Sequence, residues 1–312
     1  MVVVEEEEAE AEVLVEIGSY GAPVRLVCDS SEEILLLWAI QQPTLSKHNA
    51  FVRQSSLRLN VDACGHRLSI FQSPSSMVRF SIFFFFILLV FELGNCAYCS
   101  FGTIYVLSLH SSSNGSIPGV TGAVMWDSGV VLAKFLEHAV DSGMLLLQGK
   151  KAVELGSGCG LVGCIAALLG AQVILTDLHD RLRLLKKNIE TNLGDGDLRG
   201  SATVGELIWG EDPDVEFIEP LPDYVLGSDV IYSEGVVMDL LVTLRQLCGT
   251  QTTILLAGEL RNDAILEYFL EAAMKEFIIG RVDQAQWHPD YCSSRVVMLV
   301  LVKKSEKMGC ED

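Results

Sequence analysis

Residues 154–160 hold the densest group of chemically capable side chains and turns in the chain. Glu154 precedes Gly156, and Gly158 and Gly160 follow at alternate positions. Glycine in such a loop permits a tight turn and lets a ligand approach the backbone. The loop lacks the Lys-Ser/Thr pair with which a phosphate loop holds phosphate and magnesium. A second acid, Asp177, ends the next apolar stretch, Gln172 to Thr176. A carboxylate there can accept both ribose hydroxyls of an adenosine cofactor, and it disfavours a 2′-phosphate. NAD fits that pair as well. A pyrophosphate, however, prefers a helix N-terminus with no acid beside it. A carboxylate next to the loop suits a cation. S-adenosylmethionine carries a sulfonium and an ammonium and no phosphate, so Glu154 and the glycines favour it.

Those residues need strands and helices to hold them. Lys151 to Leu155 is a short apolar strand that runs into the glycine loop. Leu161 to Leu169 is an apolar helix ended by Gly170, and Gln172 to Thr176 is the next strand. Arg181 to Asn192 has Leu182, Leu185 and Ile189 at helical spacing. Ala202 to Ile208, Tyr224 to Ser228 and Thr252 to Ala257 give further strands, with helices at Val236 to Leu247 and Ala264 to Lys275. Phe277 to Val282 and Arg295 to Val302 suit a closing antiparallel pair, with Trp287 to Tyr291 at its tip. Asp127 is placed to cap a helix carrying Val130, Val131, Phe135 and Leu136. Strands alternating with helices predict an α/β fold with a mainly parallel, Rossmann-like sheet covered on both faces.

Five motifs in order now resemble a known family. They are Thr121 to Asp127, Glu154 to Gly163, Thr176-Asp177, Trp209 to Asp212, and Asp229 to Tyr232. They are similar to the class I, seven-strand methyltransferases, and within them to the methyltransferase-like protein 21 group of protein-lysine methyltransferases. The similarity runs from Gly119 to about Lys304. It implies a sheet in the order 3-2-1-4-5-7-6 with the seventh strand antiparallel, and S-adenosylmethionine as methyl donor. It also implies roles. Trp126 would border the methionine end of the cofactor. Glu154, Gly156 and Gly158 would form the cofactor loop, Asp177 would hold the ribose, and Trp209 would lie near the adenine. Asp229 and Tyr232 would shape the donor and substrate-lysine site. Two other readings stand beside the protein-lysine one: a small-molecule methyltransferase on the same fold, and an inactive or membrane-tethered isoform.

The rest of the chain bounds partners and organisation. Of 312 residues, 41 are acidic and 22 basic, a formal charge of −19. Such a balance argues against general nucleic-acid binding, which rests on neutralising phosphates, and attracts basic protein segments. The expected partner is a protein with an accessible lysine on a basic surface. Glu211 to Asp223 carries acids and no base, and suits either a solvated loop or a docking edge for such a surface. The nine cysteines and six histidines show no metal-ligand spacing; Cys96 and Cys99 have no second pair near them. No metal is expected. The start shows no secretory signal, so the thiols are expected reduced and the chain cytoplasmic, with the nucleus as a second location. A monomer is expected.

Residues 1–29 are expected to be an acidic tail and 30–76 a helix and β-hairpin extension. Ser30 and Glu33 have capping-box spacing, and the helix is expected to bury Leu35, Leu36 and Trp38. Leu57 to Val61 and Leu68 to Ile70 alternate about Asp62 to Gly65, a hairpin signal. Residues 77–117 depart from the family. Phe80 to Phe91 is apolar apart from Ser81, and Leu107 to Ser116 is serine-rich. A bilayer span needs ~20 apolar residues, so a membrane anchor over 80–109 is not favoured against a packed segment or a splicing artefact. Residues 118–304 are expected to form the methyltransferase domain and 305–312 a tail.

Overall fold

The computed structural model describes residues 13–43, 49–74, 123–194 and 198–305. The expectations for 77–117, for Cys96 and Cys99, and for the tail beyond 305 lie outside the described residues. The chain runs β1 (Leu14–Ile17), β2 (Tyr20–Leu26), α1 (Ser30–Gln41), β3 (Arg58–Ala63), β4 (His66–Phe71), α2 (Asp127–Asp141) and β5 (Lys151–Leu155). It continues through α3 (Leu161–Leu168), β6 (Gln172–Asp177), α4 (Leu182–Leu193), β7 (Ser201–Glu206), α5 (Val215–Ile218) and β8 (Tyr224–Ser228). It ends with α6 (Glu234–Leu247), β9 (Thr253–Glu259), α7 (Asp263–Ala273), β10 (Phe277–Arg281) and β11 (Val296–Lys303).

Among the described residues the main sheet has nine strands in the order β1-β2-β10-β11-β9-β8-β5-β6-β7. Strands β5 to β9 pair in parallel, and β11 pairs antiparallel with β9. From β7 to β10 this is the 3-2-1-4-5-7-6 order that the family resemblance implied. The sheet is larger than the seven strands expected, because β1 and β2 extend it. Strand β2 pairs with β10 through Leu26 and Arg25. Residues 13–29 are therefore not a tail. Tyr20, Ala22 and Val24 alternate inward, a strand pattern directly after the acidic run that ends at Glu16.

The central strands are apolar because both faces are covered. Along β8, Tyr224 and Leu226 enter a core with Phe135, Leu132 and Ile165. Val225 points to the other face, which packs Phe217, Leu240, Leu244 and Phe269.

Three local expectations need correction. Helix α1 is capped by Asp29, whose side chain accepts the Glu32 N–H at 2.9 Å, and not by Ser30. Glu33 instead makes ion pairs with Arg281 (2.6 Å) and Arg25 (3.7 Å). The helix buries Ile34 and Leu37, while Leu35 is 71% exposed and Leu36 and Trp38 are half-buried. A run apolar on every side gave no phase. Asp127 is the first residue of α2, not its cap; Trp126 occupies the cap position. The Asp127 carboxylate accepts the N–H groups of Ala50 (2.5 Å), Phe51 and Val52 (both 3.1 Å), a long-range role invisible in local spacing. Finally, Trp287 lies between β10 and β11 as expected, but its ring is buried in the core and does not form the tip.

Candidate functional site

A cleft of 790 Å³ opens at the carboxyl ends of β5, β6, β8 and β9. Strand order reverses between β5 and β8, and open α/β sheets bind ligands at such a point. All eight residues singled out in the sequence line this cleft: Trp126, Glu154, Gly156, Gly158, Asp177, Trp209, Asp229 and Tyr232.

One end is built on the loop after β5. Gly156 and Gly158 have φ of +57° and +54°, a backbone region that L side chains rarely adopt. A Cβ at Gly156 would lie 3.2 Å from Trp209 Cζ2, so the Trp209 ring rests against the bare loop. Asp177 Oδ2 accepts the Gly158 N–H at 2.7 Å, and Oδ1 accepts the Leu178 N–H at 2.8 Å. An ionised carboxylate has about four acceptor positions, so capacity for ribose hydroxyls remains. Burial raises the Asp177 acid above the usual carboxylate range, opposed by these backbone bonds and by Arg181.

Glu154 is buried, and its Oε2 accepts the Gly163 N–H at 3.0 Å. Burial pushes its acid up to about 8, against hydrogen bonds from Ser157 and Gly163. Among the described residues it makes no salt bridge. A buried acid with no basic partner beside a bare glycine loop fits a cationic ligand group. The residues present therefore fit S-adenosylmethionine, which carries a cationic amino-acid part and a ribose.

The other end is built on the loops after β8 and β9. Asp229 holds φ +60°, an uncommon state for a residue with a side chain. Its N–H donates to Ala257 O at 2.7 Å, and its Oδ1 accepts the Glu259 N–H at 3.1 Å. Its Oδ2 pairs with Arg261. Burial raises the Asp229 acid, and the Arg261 charge opposes that rise. The Arg261 guanidinium lies 4.2 Å from the Trp126 ring centroid. Tyr232 is 41% exposed, with its ring 6.4 Å from that of Trp209. Burial and the charge of Asp177 raise its phenol.

Two supports escaped the sequence reading. Asn188 is fully buried and donates to Cys159 O (2.9 Å) and Phe71 O (3.0 Å), tying the glycine loop to the β3–β4 hairpin. An Asn at the inward phase of α4, between Leu185 and Ile189, was the available signal. Glu259 Oε1 accepts the Asp127 N–H at 3.1 Å, and Glu259 pairs with Arg295 at 3.2 Å. The signal there was Glu259 and Arg261 directly after an apolar strand. The acidic stretch 211–223 is partly structural: Phe217 is buried and Asp223 pairs with Lys150 at 2.9 Å.

Comparison with known proteins identifies the family. Residues 107–276 match the family described as lysine methyltransferase. The protein N-lysine methyltransferase METTL21A of Mus musculus is 44% identical over 161 residues, covering 51% of this chain and 70% of its own. The EEF1A lysine methyltransferase 3 of Xenopus tropicalis is 32% identical over 191 residues, covering 61% and 79%. A solved TehB-like methyltransferase from Corynebacterium glutamicum is 16% identical, with a TM-score of 0.42 over 59% of this chain and 90% of its own. S-adenosylmethionine is the donor that the family uses and that the cleft fits. With the match spanning the cleft from Trp126 to Arg261 and more than half of all residues, the chain belongs to the lysine methyltransferase family.

Proposed function

We propose that the chain methylates a lysine of a protein substrate in the cleft described above, with the donor at the Glu154–Asp177 end and the amine entering at the Asp229–Tyr232 end. The convergence of all eight residues on one cleft carries this reading. When bound, S-adenosylmethionine supplies an electrophilic methyl group. That methyl would pass to the lysine nitrogen's lone pair as the carbon–sulfur electron pair stayed with sulfur. Such an in-line displacement depends chiefly on positioning.

Asp177 and the glycine loop would hold the donor's ribose side, and Trp209, resting on Gly156, would meet its adenine. Trp126 and Tyr232 wall the acceptor end and exclude water. The lysine must arrive neutral. From a free pKa of ~10.4, neutrality at pH 7 costs roughly 4–5 kcal/mol. Apolar and aromatic walls and a nearby positive charge reduce that cost. An unpaired carboxylate would raise it, so Asp229 orients groups and does not act as the base.

The acidic surface supports a basic substrate. The formal charge is −19, and Glu211, Asp212 and Glu216 are exposed on the stretch preceding β8. Among the described residues no helix is long and apolar enough to cross a membrane.

The test is incubation of the full chain with cell extract and tritium-labelled S-adenosylmethionine, beside Asp177→Ala. The expected result is a discrete labelled protein band, lost or reduced at least tenfold in the variant. Label confined to small molecules would overturn the protein-lysine reading in favour of small-molecule transfer.

A further inference from the structure

Arg261 follows the last turn out of β9 and lies across the acceptor end of the cleft. Its guanidinium pairs with Asp229 and covers the Trp126 ring at 4.2 Å. An aromatic face beside a carboxylate is a cradle for a cation. In this molecule the chain's own arginine fills it.

The charges around it are balanced in pairs. Asp229 faces Arg261, and Glu259 faces Arg295 at 3.2 Å. Asp127, from α2, spends its carboxylate on three backbone N–H groups. Across the cleft Asp177 acts on Tyr232, and Arg181 acts on Asp177. Without Arg261, Asp229 would keep only the Glu259 N–H and the charge of Arg295, which already pairs with Glu259, and the Trp126 ring would lose its cation. Both favour an ammonium over a neutral amine, and an ammonium has no lone pair with which to attack.

We propose that Arg261 sets the charge of the acceptor end: it neutralises Asp229 and occupies the Trp126 face, so that the site receives the substrate lysine as a neutral amine. The inference rests on the lysine-methyltransferase reading. Arg261 acts through the charge it presents, and is a positioning residue.

The sign of the effect is fixed. Below the lysine pKa, the neutral fraction rises tenfold per pH unit. Removing a nearby positive charge and unmasking a carboxylate both raise that pKa. The rising limb of rate against pH must then move to higher pH.

The experiment measures labelling of the substrate band in cell extract with tritiated S-adenosylmethionine from pH 6.5 to 9.5, for the full chain, Arg261→Met and Arg261→Lys. Donor affinity of each is measured by calorimetry. Arg261→Met is expected to lose about tenfold at pH 7 and to recover at high pH, a displacement of about one unit. Arg261→Lys, which keeps the charge, is expected to keep the native profile. A profile for Arg261→Met that superimposes on the native one, or that falls by the same factor at every pH, overturns the inference and leaves the methyltransferase reading intact. No labelled band with the native chain overturns both.

Discussion

Burial keeps the Glu154 carboxyl protonated at neutral pH, its acid pushed up to about 8. A cation placed beside it favours the ionised form, so donor binding below pH 8 should release a proton. Donor affinity should therefore rise from pH 6 to pH 8. Calorimetry in buffers of different ionisation enthalpy should detect the release, and Glu154→Gln should abolish both effects while weakening binding about tenfold at pH 8. The linked effect on stability has a definite sign. The folded state retains a proton that the unfolded chain gives up above ~4.3. This one group therefore costs stability progressively as pH rises from there to about 8. At this scale the sequence was informative where residue type and local position suffice. Glu154 and Asp177 stood out because one stands just before the glycine loop and the other ends the next strand. Arg261 and Asn188 did not, because their partners, Asp229 and Cys159, lie 32 and 29 residues away.

Helix α2 shows how an element is positioned by residues far from it. Asp127 anchors the 50–52 segment through three N–H groups and, through its own N–H, joins Glu259 of β9. These bonds surround Trp126, the preceding residue. Asp127→Ala would leave the buried Val52 N–H unsatisfied and take the acceptor from the part-buried Ala50 and Phe51 N–H groups, at a cost of about 1–3 kcal/mol. Thermal unfolding should show that loss as a lowered Tm, and calorimetry should show weakened donor binding because the Trp126 wall is released. Existence and type of the central elements were legible, since their apolar runs are bounded by glycine and acids. The phase of α1 was not. Ile34 to Leu37 is apolar throughout, and only contact with α7 decides that Ile34 and Leu37 turn inward while Leu35 stays out.

For the whole molecule, the N-terminal hairpin matters most. Strands β1 and β2 cover the free side of β10, and a bare sheet edge is a template for association. Removing residues 1–26 should leave β10 as an edge. Light scattering should then report association at concentrations where the intact chain is monodisperse, and an unchanged mass would contradict that role. Ile17 and Val24 pack so closely over Gly280 that a Cβ there would meet Val24 at 2.3 Å.

By itself the sequence determined the α/β class, the run of strands and helices from Lys151 onward, the glycine loop with its two acids, and the donor chemistry they suit. These are properties of neighbours in the chain: periodicity, turn residues, and an acid at a strand end. Only the tertiary structure decided which distant charges meet. It set Arg261 against Asp229 and Trp126, gave Asp127 its three backbone donors, locked the loop through Asn188, and turned the first described residues into two strands of the sheet. Burial and electrostatic pairing depend on separation in space, and the sheet order that sets it joins residues far apart in sequence.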